Sequence, residues 1–383
     1  MELAAAFLVP ALLGCAVVCL LARRKNIHIW AVPYLKGLAA KRPPREGPVH
    51  VMLAVVDHYE PYWNGASAST ARRRVERWVR EYPAVASRFA DSAGNRPRHT
   101  CFYPEEEYDG AIMDMLAGLR DGGFVDVEIH LHHDGDSAEE LREKLLRFKS
   151  TLHERHGLLR RGNDGDLLYG FIHGNWALCN SRRDGRWCGV DNELVVLRET
   201  GCYADFTLPS APSETQTSKI NSIYYARDIP GRPKSHDRGV DVEAGLAPSG
   251  DLMIVQGPLT LDWRRRKWGL APRIENGDLS FDNPPAPRRA RLWVECNIHV
   301  RGRPRWIFVK VHTHGCQEDN MEMLLDGGGL ASLYRCMEDG YNDGERFRLH
   351  YVSAWEMYNI IKAAEAGEDG DPSSLRTYLT ERG

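Results

Sequence analysis

The residues that could do chemistry in this chain are its histidines, because of where they fall. Of fifteen, seven (His58, His130, His132, His133, His173, His312 and His314) sit at the C-terminal ends of segments patterned as β-strands. In a parallel barrel those ends are where active sites are assembled. The segment VEIHLHHDGD, residues 127–136, places Val127, Ile129 and Leu131 on one face and Glu128, His130 and His132 on the other. His-x-His on a strand sets two imidazoles about 6–7 Å apart at the backbone, converging on one ion. His133, Asp134 and Asp136 come next and can add ligands or orienting carboxylates. The segment WIFVKVHTHG, residues 306–315, repeats the pattern: Phe308, Lys310, His312 and His314 share a face opposite Ile307, Val309 and Val311. Either histidine suits a ligand or a general acid. A third apolar strand ends VVDHYEPYW, where Asp57 emerges from a buried run with His58 and Glu60 beside it, as a general base requires.

These side chains need a scaffold, and the sequence alternates strands and helices from residue 49 onward. Strands are expected at 49–57, 98–103, 125–132, 167–173, 202–208, 252–256, 306–312 and 347–352. Helices are expected at 70–90, 106–120, from the Ser137 cap with its Glu140 capping box, and at 192–200, 289–298, 321–337 and 354–366. Residues 209–250 read as irregular. Strand–helix alternation without a GxGxxG or GxxxxGK[ST] motif favours an α/β fold of the distorted (β/α)7-8 TIM-like barrel type over a dinucleotide-binding sheet.

Composition narrows the partners. The chain has 383 residues, 50 Lys+Arg, 53 Asp+Glu and a formal charge of −3, which argues against nucleic acid as its main partner. Residues 3–22 form an uncharged stretch, long enough as a helix of roughly 30 Å to cross a bilayer. The positive charges come after it (Arg23, Arg24, Lys25, Lys36, Lys41, Arg42, Arg45), which reads as an uncleaved anchor with the globular part in the cytoplasm. The expected organisation is a transmembrane helix over 1–25, a basic juxtamembrane linker over 26–48, a barrel over 49–367 and a polar tail over 368–383. Trp30 and Tyr34 are then interfacial anchors, and the protein a single-pass protein of the cell (inner) membrane. Seven of nine cysteines lie beyond the anchor, without a CxxC pair, as in a reducing compartment.

The order of motifs resembles the polysaccharide deacetylase (NodB-like, carbohydrate esterase family 4) superfamily. The matching residues are Asp57-His58 for the first motif's paired aspartates, Glu128-Ile129 with His132 and Asp136 for the second, Asp262-Trp263 in LTLDW for a DxxDW-like motif, and His312 in VKVH for the last. The chain departs at His58, at Asp136 and at Leu259, and its FIHGNWALCNSR stretch replaces the family's third motif. The resemblance implies a distorted barrel that removes acyl groups from amino sugars with one divalent metal, zinc being the usual choice for such ligands. It implies Asp57 as base, His312 as acid, and His58, His130 and His132 as metal ligands. His173, Asn175, Trp176, Asp262 and Trp263 fall to the substrate, and Asp136 and His314 to orienting or alternative ligand roles. Trp63, Trp176 and Trp263 suit stacking on sugar faces. The anchor adds the expectation of a carbohydrate substrate of a surface polysaccharide or its polyprenyl-linked precursor, with a glycan-synthesis complex at the membrane as partner.

Two other readings remain open. A carboxylate glycosidase would pair Asp57 with Asp205 or Asp262 and leave the histidines unexplained. An inactive glycan-binding scaffold would account for the departures at His58 and Asp136. The segment Asp262–Gly269 reads as a solvated loop or a contact for anionic lipid. Residues 209–225 read as a polar loop over the barrel mouth, with Asn221 or Tyr224 available to sugar hydroxyls.

Overall fold

The computed structural model describes residues 20–39, 47–267, 269 and 271–380. The chain folds as a mixed α/β protein around a mostly parallel twelve-stranded sheet. In chain order, the first elements that position the site are helix α1 (Ile27–Ala39), β1 (Val49–His58), α2 (Ala68–Ala86), β2 (His99–Pro104), α3 (Gly110–Asp121), β3 (Val125–Leu131) and α4 (Ala138–His156). Next come β4 (Arg160–Arg161), β5 (Leu167–His173), α5 (Glu193–Glu199), β6 (Cys202–Asp205), β7 (Ile223–Ala226), β8 (Gly239–Asp241) and β9 (Leu252–Val255). The hairpin β10 (Thr260–Lys267) and β11 (Ala271–Glu275) precedes β12 (Asp278–Leu279), α6 (Pro287–Glu295) and β13 (Trp306–Thr313). The described chain closes with α7 (Glu318–Leu324), α8 (Gly329–Tyr341), β14 (Phe347–Tyr351) and α9 (Ala354–Glu365).

A run of parallel strands carries the fold, in the order β13-β1-β2-β3-β5-β6-β9. β1 is central: β13 flanks it on one side, while on the other β14 pairs with its first half and β2 with its last four residues. All ten of its residues are buried, which is why VHVMLAVVDH reads as a continuous apolar run rather than an alternating one. The alternation still decides what each residue meets. Val51, Leu53 and Val55 pack with Val75, Trp78 and Ile112 of the helices, whereas Met52, Ala54 and Val56 face a second cluster with Trp355, Met357 and Ile360 of α9. The ends of the run curl toward each other. A Cβ on Gly257, just past β9, would lie 2.5 Å from the carbonyl oxygen of Lys310 in β13. Lys310 in turn donates from Nζ to the carbonyls of Phe206 and Leu208 beyond β6.

The helices start where the sequence marks them. Ser137 and Glu140 close a capping box on α4, and Ser353 with Glu356 does the same on α9. The helix expected over 321–337 is two helices, because Gly327 and Gly328 interrupt it and Gly328 takes the left-handed conformation at φ +68°.

The expected membrane placement requires correction. Among the described residues no helix is long and apolar enough to cross a membrane. The apolar stretch itself lies outside the described residues up to residue 19. Within the next segment, read from the sequence as a linker, α1 occupies residues 27–39 and packs on the protein. Trp30 is fully buried and clusters with Tyr34, Ala211, Leu259 and Leu261, so both aromatics expected at lipid headgroups are spent on the protein's own core. Pro33 and the flanking cations disguise this short helix as a linker. α1 also sits on the segment expected as a polar loop at the barrel mouth: Trp30 and Tyr34 cluster with Ala211, and Asn26, just before the helix, donates from Nδ2 to the Pro212 carbonyl at 3.0 Å. Asn221 bonds the backbone of Leu259 through both side-chain atoms, and Tyr224 OH donates to the His236 carbonyl.

This packing can be tested at two places. Trp30→Ala should cost about 3–5 kcal/mol of stability and speed hydrogen exchange across residues 27–39; unchanged exchange there would show that Trp30 does not hold the helix. The second place is the buried pair of His50 near the start of β1 and His350 near the end of β14, whose Nδ1 and Nε2 are 2.8 Å apart. Burial depresses His50 from 6.5 to about 4 and His350 to about 3. The unfolded chain therefore takes up protons below about pH 6.5 that the folded pair refuses. Stability is full above that pH and should fall as pH drops toward 4. Urea midpoints across this window should fall less steeply in His50→Gln.

Candidate metal centre at the strand ends

Five histidines and one glutamate meet where β1, β3 and β13 end. Even-numbered residues of these strands face away from the outer helices, so His58, His130 and His312 share one side of the sheet, and His132 and His314 continue the alternation past the strand ends. The ring centroids of His58 lie 4.9 Å from His130, 4.5 Å from His314 and 6.3 Å from His312, and those of His130 and His132 are 4.6 Å apart. Glu60, buried just beyond β1, joins them. Its Oε1 is 3.1 Å from His130 Nε2 and 3.5 Å from His132 Nε2, and its Oε2 is 3.6 Å from His314 Nδ1.

Two overlapping donor groups result: Glu60 with His130 and His132, and Glu60 with His58 and His314. The first has the marks of a metal site. His130 donates from Nδ1 to the Ile172 carbonyl at 2.9 Å, and His132 from Nδ1 to Glu106 Oε1 at 2.5 Å. Each bond fixes the tautomer and turns a lone pair on Nε2 toward Glu60, the way ligating histidines are oriented. Bare nitrogens and a carboxylate oxygen are all acceptors, and a shared cation reconciles them. Two histidines and a glutamate are also a known catalytic zinc set, with a coordination position left open. The residues present thus fit a divalent ion.

Burial, then the neighbouring imidazoles, push His58 well below its ordinary value, and burial lowers His130. Burial would likewise lower His132 and His314, but Glu106 and Glu60 respectively outweigh it and raise both. Burial alone would raise Glu60, yet the neighbouring imidazoles of His130 and His314 outweigh it and hold it well below the carboxylate range. Glu107, whose Oε2 accepts from the Tyr62 backbone N–H at 2.8 Å, is raised by burial to about 7. His312 is driven far down by burial and by Lys310.

The remaining site residues read from the sequence fall elsewhere. Asp57 points to the opposite face from His58 and is fully buried. Its Oδ1 accepts from the Gly315 N–H at 2.7 Å and its Oδ2 lies 2.8 Å from His99 Nε2. Trp176 does reach the centre, 6.0 Å from His58 and 6.1 Å from His314 by ring centroid. Asn175, beside it, adopts φ +55°. His173 turns to a separate buried group with His133, and Asp136 pairs with Lys144 at 2.6 Å. Asp262 and Trp263 lie in the β10–β11 hairpin: Asp262 accepts from the Arg264 and Arg265 N–H groups and pairs with Arg288. Trp263 is 51% exposed and donates to Tyr34 OH. Neither contacts the histidines in any of these interactions. Glu60 stands two residues from His58 in the same strand-end motif, so its position was open to the sequence. Glu106 was not, because only the pairing of β2 with β3 brings it to His132.

No protein-family profile and no curated protein matches this sequence. Among solved structures, the 4-alpha-glucanotransferase of Thermococcus litoralis is similar at a TM-score of 0.39 and 11% identity, over 82% of this chain and 43% of that one. This chain therefore spans less than half of that protein's length.

Asp57 is thus tied to structure by both oxygens. Asp57→Ala should cost about 1–3 kcal/mol for each buried partner left unpaired, read by denaturant unfolding. Glu60→Gln should leave that midpoint nearly unchanged and lower metal content instead. The reverse pattern would exchange the two roles.

Proposed function

We propose that this chain is a metal-dependent hydrolase on a distorted (β/α) barrel, removing an N-acyl group from an amino sugar. The observation that supports it is the Glu60–His130–His132 triad at the ends of parallel strands, with both imidazoles oriented through Nδ1. Glu60, His130 and His132 would hold the ion, which when bound supplies an acidified water and a Lewis acid for the acyl carbonyl. Zinc suits the set.

The chain's own groups supply the rest. His58 and His314, side by side at 4.5 Å, face the same space and serve to take the proton from the attacking water and deliver it to the departing amine. An amine is too basic to leave unprotonated, so a proton donor at this spot is a requirement of the reaction. Trp176 forms a wall on which an apolar sugar face can rest. This reading agrees with the resemblance to polysaccharide deacetylases in metal use and reaction, but it moves the proton work from Asp57 and His312 to His58 and His314, because Asp57 faces away. The carboxylate glycosidase reading is less well supported: Asp57, Asp205 and Asp262 are engaged in three separate sets of contacts, with His99 and Gly315, with Thr207, and with Arg288.

The test is acetate release from N-acetylated amino-sugar oligosaccharides by the metal-loaded protein. His130→Ala and Glu60→Gln should each lose metal from this centre and lose activity by about 100-fold or more. His314→Gln should keep the metal and lose activity. Turnover that survives in Glu60→Gln would overturn the proposal.

A further inference from the structure

On the other face of the same sheet lies a second group that the proposed reaction does not use. His133, His173, Cys188 and Glu193 are all buried, and one donor atom from each lies within 4.8 Å of the others. They come from four places: the end of β3, the end of β5, the loop between residues 174 and 192, and the first residue of α5.

Each donor is aimed by an outer partner. His173 directs Nδ1 at the Gly174 carbonyl, and its buried Nε2 has no hydrogen-bond partner among the described residues. Cys188 Sγ accepts backbone N–H bonds from Asn180 at 3.2 Å and Val190 at 3.4 Å, while burial and Glu193, whose Oε2 lies 3.4 Å from the sulfur, hold the thiol protonated until a cation displaces the proton. Glu193 Oε2 accepts from the Cys179 N–H at 2.6 Å, leaving Oε1 toward His133 Nε2 at 3.2 Å and His173 Nε2 at 3.7 Å. Asp136 Oδ2 stands 3.6 Å from His133 Nδ1, a nitrogen without a hydrogen bond among the described residues. Two imidazoles, a thiolate and a carboxylate are a complete tetrahedral zinc set, closed by protein ligands and shut off from solvent.

The structure assigns to these four side chains a second divalent ion, structural in role and distinct from the strand-end centre. On binding, Cys188 gives its thiol proton to solvent and the sulfur becomes the ligand. The ion satisfies the orphaned His173 nitrogen and neutralises a carboxylate that is otherwise buried in the protein interior. It also fastens a loop whose backbone is strained. Asn175, Trp176, Cys179, Asn180 and Trp187 all have φ between 51° and 68°, a region that side-chain-bearing residues avoid. The loop is docked close: the Asp136 N–H donates to the Cys188 carbonyl at 3.1 Å, and a Cβ on Gly189 would sit 2.9 Å from the Asp136 carbonyl. Trp176, the wall of the strand-end centre, belongs to this loop, so the second ion would hold that wall in place.

The test uses the full chain expressed in cobalt-supplemented minimal medium, so that metal enters during folding. A thiolate-to-cobalt charge-transfer band in the near ultraviolet is expected, with about two ions per chain. Neither donor group at the strand ends contains sulfur, so the band reports this site alone. Cys188→Ser should abolish the band, lose one ion and lower the melting temperature. Cys179→Ser, at a buried cysteine outside the donor set, should keep the band. Glu60→Gln should lose one ion and also keep it. Absence of the band in wild type, or its survival in Cys188→Ser, overturns the assignment. Should Cys188→Ser not fold, the wild-type spectrum decides alone. A band with no ion lost in Glu60→Gln would sink the strand-end proposal and leave this one standing.

Discussion

Glu60 is a buried carboxylate whose nearest partners are imidazoles, and much of the architecture serves to keep it so. An ionised carboxylate taken out of water is costly unless donors or cations surround it. Here His130 and His132 of one strand and His314 of another surround it, with Glu60 itself just beyond a third, and a cation shared among them would supply the compensation. These elements meet only if β1, β3 and β13 run parallel and end together. β1 is bonded to β13 from His50 through Asp57 and to β2 from Val55 through His58, and β2 to β3 along its whole length, which brings the three ends to one place. A slip of one residue in any of these pairings would turn its side chains to the other face and dissolve the site.

The same period of two separates chemistry from support within a single dipeptide. His58 turns inward to the centre, while Asp57 turns outward and fixes the Gly315 N–H and His99. Gly315 comes directly after His314, and a Cβ on it would collide with the Asp57 carboxylate. Asp57 therefore sets where His314 stands without touching what His314 faces. An aspartate emerging from an apolar strand has the environment of a general base in sequence. In the fold that environment orders a turn.

Much of the strand framework was legible because burial wrote it plainly. The apolar runs at 49–58, 125–131 and 306–313 mark the strands, and the alternation within 127–132 and 306–314 assigns His130, His132, His312 and His314 to a shared face. The capping box at Ser137 and Glu140 was equally clear. The parts that stayed hidden depend on distance along the chain. α1 carries a proline and flanking cations, and only its packing on Ala211 and Leu259 reveals it as part of the core. The β10–β11 hairpin gave LTLDW its motif-like look, yet Asp262 serves the hairpin's own turn. Cys188 and Glu193 carry no local spacing signal, because the histidines beside them come from the ends of β3 and β5, with His133 lying 60 residues before Glu193.

The two histidine groups are best understood together. At the end of β3, His132 stays with the inner set while His133 crosses to the outer one. At the end of β5, the Ile172 carbonyl orients His130 for the first group, and the next residue, His173, turns to the second. The loop that leaves His173 passes Trp176 back to the first group before returning Cys188 to the second. A displacement of either strand end would thus be felt on both faces. The strained conformations between Asn175 and Trp187 persist only where surrounding contacts over-determine them. Four donors converging behind that loop are the contacts in a position to do so, which ties the wall of one site to the integrity of the other.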